Sequence, residues 1–416
     1  MTHCLRCGRE LPQSRGGTNP LCADCRASVA GTVPVPAAAP GPASRPVTVA
    51  RKRPPAPLTA GLVGINVAVF LAMALAFKSF SEPNTAQLIR WGADWGPRSL
   101  GAQPWRMLSS NYVHIGLLHI LFNMWCLWDL GNLAERIFDK ATYLLTYTAC
   151  GIAGSLSSLW WHPLVVGAGA SGAIFGLAGA LITALYLGRL PIPKQAVRHT
   201  LRSLVIFAGY NLFFGAVGAG IDNSAHIGGL VTGLVLGGIM AKHLTSSVEE
   251  RGRWRLGVFA VTALILLSVF SFVKRANGYV VPLEQAVDAL QNNRPEEAIR
   301  NLQKADSEKP SQSVIQGLLG DAYVQHGDYA KAEPLLQRRV QERPQDADAQ
   351  YNLGFAELKL GKLDQAIPLL QKASELDPND PDPQQALGEA YRSKNMQAQA
   401  EAAFQKADEL RKTPQN

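Results

Sequence analysis

Two polar side chains stand where chemistry is the first explanation to test. Ser171 lies in GAGASGAIFG, residues 167–176, at the start of a long apolar run. His226 lies in SAHIGGLVTG, residues 224–233, at the start of another. A serine hydroxyl becomes a useful nucleophile only when a neighbouring base takes its proton, and imidazole does this near neutral pH. Acyl transfer also needs donors for a developing oxyanion. His119 and Asn123, one helical turn apart, open a third apolar run and supply such groups, together with the Ser171 backbone N–H. Each residue has a plainer reading: a serine bonded back to its own helix, a histidine satisfied by packing. Ionisable and polar groups at membrane depth are costly, however, and three helices offering them at one level favours a site. Asp222 is expected to be a solvated loop carboxylate rather than a third member.

A second cluster is made of thiols. Cys4, Cys7, Cys22 and Cys25 form two C-x-x-C pairs separated by fourteen residues. Four thiolates in two close pairs suit tetrahedral zinc, with each pair on one turn. A segment of residues 1–26 cannot build an adequate core, so the metal would supply folding energy. The alternative is a tail with free or disulfide-linked cysteines. Cys126 and Cys150 stand alone in apolar runs and read as small buried hydrophobes.

These residues need elements to hold them. The chain has 416 residues, 47% hydrophobic and 17% charged, but the two classes are segregated. Residues 27–57 are rich in Pro, Ala and Gly and end near Arg51-Lys52-Arg53, as an extended linker would. Seven apolar segments follow, near 58–78, 115–131, 142–160, 168–188, 201–219, 224–241 and 256–274. Each approaches the length of a bilayer-crossing helix. Several are apolar all round, which argues against a soluble bundle. The net charge of +8 does not point to nucleic acid, because much of it flanks the apolar runs. With the N-terminus inside, the connections 132–141, 189–200 and 242–255 carry most of the Lys and Arg, as cytoplasmic connections do. Seven crossings then put the C-terminal region outside. Within helix six, His226, Gly229, Gly233 and Gly237 share a face. It matches Gly172, Gly176 and Ala180 of helix four, so the two can pack closely and bring His226 to Ser171. Gly169 lets the backbone bend before Ser171, and Phe175, one turn below it, can support the imidazole ring.

Residues 279–416 repeat. Pro310, Pro344 and Pro378 are thirty-four residues apart, as are Ala298, Ala332, Ala366 and Ala400, and Gly320, Gly354 and Gly388. This is the period of tetratricopeptide units, near 279–312, 313–346, 347–380 and 381–414. Such an α-solenoid offers a concave surface to peptide or protein partners.

The order H-x-x-x-N (His119, Asn123), G-A-S-G (169–172) and A-H-x-G-G (225–229), with Trp105-Arg106 in the preceding long loop, resembles the rhomboid family of intramembrane serine proteases across residues 58–275. The resemblance implies a Ser171–His226 dyad without an acid and an oxyanion site of His119 and Asn123. It also implies cleavage of transmembrane substrates near their outer ends, without a catalytic cofactor. Trp105-Arg106 is implied to be a structural loop element, and Glu135 a structural position. Phe175 stands where many members have Tyr. The expected fold is therefore all-α: a seven-helix membrane bundle, rhomboid-like six plus one, between a zinc ribbon and tetratricopeptide repeats. The ribbon resembles those that begin many bacterial membrane proteins, and the expected location is a bacterial inner or plasma membrane. A non-catalytic scaffold that escorts membrane proteins is the alternative function. A zinc hydrolase is excluded, because a four-thiolate site is closed and lies far from the membrane-depth groups.

Overall fold

A computed structural model describes residues 2–4, 7–11, 21–25, 56–78, 83–218 and 221–412. The chain divides into two compact units, Met1–Pro55 and Ala56–Asn416. The linker expected over 27–57 lies outside the described residues except at its end, where Pro57 already opens the first long helix.

The first unit contains a short antiparallel pair, β1 (Thr2–His3) and β2 (Glu10–Leu11), with Thr2 opposite Leu11 and His3 opposite Glu10. The turn between them closes through Gly8 N–H to the Cys4 carbonyl at 2.9 Å. Gly8 has φ +71°, the left-handed region that favours glycine. Among the described residues this pair and an isolated antiparallel bridge between Asp94 and Gly167 are the β pairings of an otherwise helical chain.

The second unit begins with helix α1 (Pro57–Phe77) and three short helices, α2 (Thr85–Arg90), α3 (Gly96–Ser99) and α4 (Arg106–Ser109), in the long connection that follows. Six long helices come next: α5 (Leu117–Ile137), α6 (Lys140–Trp161), α7 (Ser171–Leu187), α8 (Lys194–Val217), α9 (Asn223–Ala241) and α10 (Val248–Ala276). Four of the long helices, α1, α8, α9 and α10, are long and apolar enough to cross a membrane. A fifth span results if 106–112 and α5, bent by 93°, count as one. The remaining two differ for physical reasons. α6 spreads Thr, Tyr, Gly and Ser along a largely buried surface. α7 has only 17 residues, and it is the central helix, with Ala173, Leu177, Ala178, Ala180, Leu181 and Ala184 all at 0% exposure. A helix surrounded by protein needs neither the length nor the flanks of one that meets lipid.

Two polar contacts tie the bundle at the end remote from Ser171. The Glu135 carboxylate, near the end of α5, accepts from Leu58 N, Thr59 N and Thr59 Oγ1 at 3.0, 2.9 and 2.9 Å. It thereby satisfies orphan donors and the positive dipole end of α1. Asp139 caps α6 through Thr142 N and also pairs with Arg255 of α10 at 2.7 Å.

α10 leads directly into four helix pairs: α11 (Val280–Gln291) with α12 (Pro295–Glu308), α13 (Ser313–His326) with α14 (Tyr329–Glu342), α15 (Ala347–Lys359) with α16 (Leu363–Leu376), and α17 (Asp382–Ser393) with α18 (Gln397–Lys412). The small residues of the repeat mark the crossings. A Cβ on Gly320 would meet Leu336 Cγ at 2.9 Å, and one on Gly354 would meet Leu370 Cγ at 2.9 Å. The solenoid does not hang free from α10. Val280 and Leu283 of α11 pack in one apolar cluster with Leu100, Met107, Leu156 and Leu159, and Arg98 pairs with Glu284 at 3.3 Å. Asn277 Nδ2 donates to the Leu159 carbonyl at 3.2 Å. The first repeat is thus seated on the α3–α4 loop and the end of α6.

Replacing Glu135 by Ala should lower thermal stability in detergent by roughly 1–3 kcal/mol, the range for hydrogen bonds to a charged group. Glu135→Gln should recover part of it, since the amide oxygen still accepts. A melting curve unchanged by either variant would contradict this account of the α1–α5 contact.

Candidate active site

The site is built on the contact between α7 and α9. Their backbones touch without intervening side chains. A Cβ on Gly229 would overlap the Gly172 carbonyl, and one on Gly233 would overlap that of Gly176. On the other side of the seam, a Cβ on Gly154 of α6 would sit 2.9 Å from the Ala225 carbonyl. Small residues are what allow helices to approach to this distance.

Ser171 is the first residue of α7 and half-buried. Its backbone N–H therefore has no partner within the helix. His226 lies in the first turn of α9 at 8% exposure, and its Nδ1 is buried without a hydrogen-bond partner. The His226 ring stacks on Phe175 with centroids 4.2 Å apart and planes 9° from parallel. Phe175 is one turn below Ser171 on the same helix, so the stack holds the imidazole beside the Ser171 face of α7. Among the described residues, Ser171 and the His226 ring make no hydrogen bond to each other. Contacts of this kind are commonly long without substrate.

His119 lies in the first turn of α5, half-buried, its Nδ1 accepting from Ile115 N at 3.4 Å. Its ring lies over the segment before Ser171: a Cβ on Gly169 would meet His119 Cε1 at 2.6 Å, and Gly169 has φ +127°. That position accepts only glycine, on both grounds. Asn123 is buried, and its Nδ2 donates to the His119 carbonyl at 2.9 Å, leaving one N–H of the amide over. Three helices and the segment leading into one of them thus meet at one end of the bundle: α5 with His119 and Asn123, 167–170 with Gly169, α7 with Ser171, Gly172 and Phe175, and α9 with His226 and Gly229.

The sequence reading of Asp222 needs correcting. It is not a solvated loop carboxylate but the half-buried N-cap of α9. It accepts from Ser224 N at 3.1 Å, Ala225 N at 3.2 Å and the Ser224 hydroxyl. An Asp immediately before a helix, followed by Asn and Ser in its first turn, is a capping sequence.

One group went unnoticed in the sequence. His114 is fully buried, neither ring nitrogen has a partner, and its ring lies 5.3 Å from that of His119. Its signal was a second histidine five residues before His119. The loop bearing Trp105-Arg106, expected as a structural element, has its own internal contacts. Arg106, 3% exposed, donates to the Ile89 carbonyl at 2.5 Å and the Ala93 carbonyl at 3.0 Å. Trp105 is exposed, with the guanidinium 4.9 Å over its ring. Beyond Arg106 the loop pairs with the segment before Ser171. Asp94 and Gly167 exchange both backbone hydrogen bonds at 2.8 Å, and Gly169 N donates to the Ser110 carbonyl at 2.9 Å.

In the first unit, one sulfur from each of Cys4, Cys7, Cys22 and Cys25 lies within 4.8 Å of the other three. Cys7 and Cys22 Sγ are 3.7 Å apart, and Cys22 N donates to Cys4 Sγ at 3.2 Å. Four thiolates each about 2.3 Å from one tetrahedral ion would be about 3.8 Å apart, so the cluster fits a metal.

A helical bundle with a serine and a histidine at its buried small-residue seam, followed by helical repeats, defines the class. Residues 101–243 match the model of the Rhomboid domain, and residues 318–381 and 357–415 match tetratricopeptide repeat models. The chain belongs to the rhomboid family. It is 30% identical to Rhomboid protease AarA of Providencia stuartii, over 43% of this chain and 70% of that one. It is 30% identical to Rhomboid protease GluP of Bacillus subtilis, over 61% of this chain and 49% of GluP, so it spans less than half of that relative's length. Among solved structures, MamA MSR-1 C2 aligns with a TM-score of 0.30 and 26% identity, over 32% of this chain and 76% of that one.

The seam makes a sharp prediction. Gly229→Val should cost at least about 1–3 kcal/mol by overpacking and lower the yield of folded protein. Gly209→Val, on α8 where a Cβ meets nothing within 4 Å, should not. Equal melting temperatures for the two variants in detergent would refute the close α7–α9 contact.

Proposed function

We propose that the chain is an intramembrane serine endopeptidase that cleaves transmembrane segments of other membrane proteins. The observation that carries this is the parallel stack of His226 on Phe175, one turn from Ser171, on two helices joined backbone to backbone. In this reading His226 takes the Ser171 hydroxyl proton as Oγ attacks a peptide carbonyl. It then returns the proton to the leaving amine, and water resolves the acyl-enzyme by the same route in reverse. The oxyanion is received by the Ser171 N–H at the positive end of α7, the free amide N–H of Asn123 and the His119 ring. Phe175 and Gly172 keep the imidazole and backbone close, and Gly169 makes room for His119. The substrate must unwind locally, since helical peptide bonds are shielded by their own hydrogen bonds.

The membrane arrangement belongs to the same proposal. All seven long helices cross a bacterial inner or plasma membrane, with the N-terminus cytoplasmic and the repeats extracytoplasmic. α6 and α7, which fall short of lipid-facing criteria, cross within the shelter of the others. The bias of Lys and Arg toward 132–141, 189–200 and 242–255 supports that orientation. The four thiolates hold structural zinc, for which soft sulfur donors in a closed set are the usual choice. The repeats bind peptide or protein partners.

Purified chain incubated with a transmembrane reporter should cleave it, and Ser171→Ala and His226→Ala should each abolish cleavage; cleavage surviving in both would end the dyad reading. Asn123→Ala should slow turnover by about a hundredfold as one oxyanion donor is lost. For the metal, elemental analysis should find zinc near one per chain, reduced in Cys7→Ser with Cys22→Ser. Zinc retained in full by that variant would reject the cluster as its site.

A further inference from the structure

The side chain of Asp94 has no part in the chemistry proposed above, yet its backbone touches the segment that leads to Ser171. It sits in the long loop between α1 and α5 at 2% exposure. Its backbone exchanges two hydrogen bonds with Gly167, both 2.8 Å. Its side chain faces inward: Oδ1 accepts from Ser99 Oγ at 2.5 Å, and Oδ2 is buried with no partner. Ser99 belongs to α3, whose neighbours Arg98 and Leu100 are held by the first repeat through Glu284 and the Leu283 cluster. One short route therefore runs from the repeats through α3 and Asp94 to the residues before the nucleophile.

We propose that Asp94 is a positioning residue for Ser171, holding the loop to the 167–170 segment as a neutral carboxylic acid. This inference rests on the reading of Ser171 given above. A buried carboxylate lacking donors on one oxygen is costly, whereas the neutral acid needs only an acceptor. No donor to that oxygen is in place, and the Ser155 hydroxyl donates instead to the Met107 carbonyl at 3.1 Å. Burial pushes the Asp94 carboxyl up to about 7, against the opposing pull of the Ser99 hydroxyl. The charged groups acting on it are Asp222, the α9 cap, which raises it further, and Arg106, which lowers it. Arg106 directs Nε and Nη1 to Gln103 and to the Ile89 and Ala93 carbonyls, and makes no hydrogen bond to Asp94 among the described residues. Arg98, another cation of the loop, is engaged by Glu284.

The sign follows from linkage. The folded protein keeps this proton at pH values where the unfolded chain, near the ordinary aspartate value, has lost it. The group's contribution to stability is thus full below about 4 and falls as pH rises toward about 7. Asn is the neutral isostere at every pH. The melting temperature of Asp94→Asn minus that of wild type should therefore rise between pH 5 and pH 7.5 and then level. The ratio of its kcat to that of wild type should rise by at least about threefold between pH 6 and pH 8.5, with KM unchanged, as the ionised wild-type loop loosens. Asp94→Ala, which keeps neither the Ser99 contact nor the isostere, should lower kcat at every pH. Amide exchange at Gly167 and Asp94 provides an arm independent of turnover, and it should quicken with ionisation in wild type but not in Asp94→Asn. Flat differences in melting temperature and exchange across this range would overturn the proposal. A wild type that melts and exchanges as expected but cleaves nothing would instead remove the Ser171 reading.

Discussion

Everything at the site depends on how closely α7 and α9 approach. Their carbonyl and Cα atoms meet where Gly172 faces Gly229 and Gly176 faces Gly233, and no larger residue fits at either glycine of α9. In lipid, helices gain little from burying apolar surface against one another, so association must come from close van der Waals contact. The seam provides that contact and fixes position as well. It sets the His226 ring flat against Phe175, a turn from Ser171. The catalytic geometry proposed here is thus a by-product of the same packing that makes the bundle cohere.

The central place of α7 explains a second feature. A helix buried on nearly every side cannot be positioned by lipid or by water at its ends, so its N-terminus must be held by neighbouring chain. The loop between α1 and α5 does this. Arg106 anchors it internally, and its backbone joins 167–169 through Asp94, Gly167 and Ser110. Gly96 N adds a bond to the Pro163 carbonyl at 2.9 Å. The segment before Ser171 is therefore held by this loop as well as by the α9 seam.

The parts of this arrangement that were readable in the sequence are the periodic ones. Thirty-four-residue spacing of Ala, Gly and Pro marks helix pairs, because each position repeats one contact, as Gly320 to Leu336 recurs in Gly354 to Leu370. Apolar length marked the long helices, though their ends moved: α8 begins at Lys194, seven residues before its expected start, since amphipathic turns outside the apolar stretch continue the helix. What the sequence hid is contact between distant segments. Asp94 and Gly167 carry no common pattern, and a buried acid in a loop looks like any surface aspartate until its surroundings are seen. The Asp222 cap was missed for a related reason, because apolar content at the start of α9 does not signal a carboxylate that turns onto Ser224 N and Ala225 N.

The seating of the first repeat on the loop gives the solenoid a different standing from that of an appended module. Leu283 and Val280 share their apolar cluster with Leu100 and Met107, and Asn277 is tied to the end of α6. A linker would let the repeats sample many orientations, whereas this contact fixes the solenoid relative to the Ser171 end of the bundle. Anything bound along the repeats is then presented at a set distance from that end. Conversely, strain in the α3 turn reaches the first repeat through Leu100 and Arg98. The loop therefore stands between two surfaces, one built to pack around a serine and the other built by repetition, and its short helices are where a change in either is felt by the other.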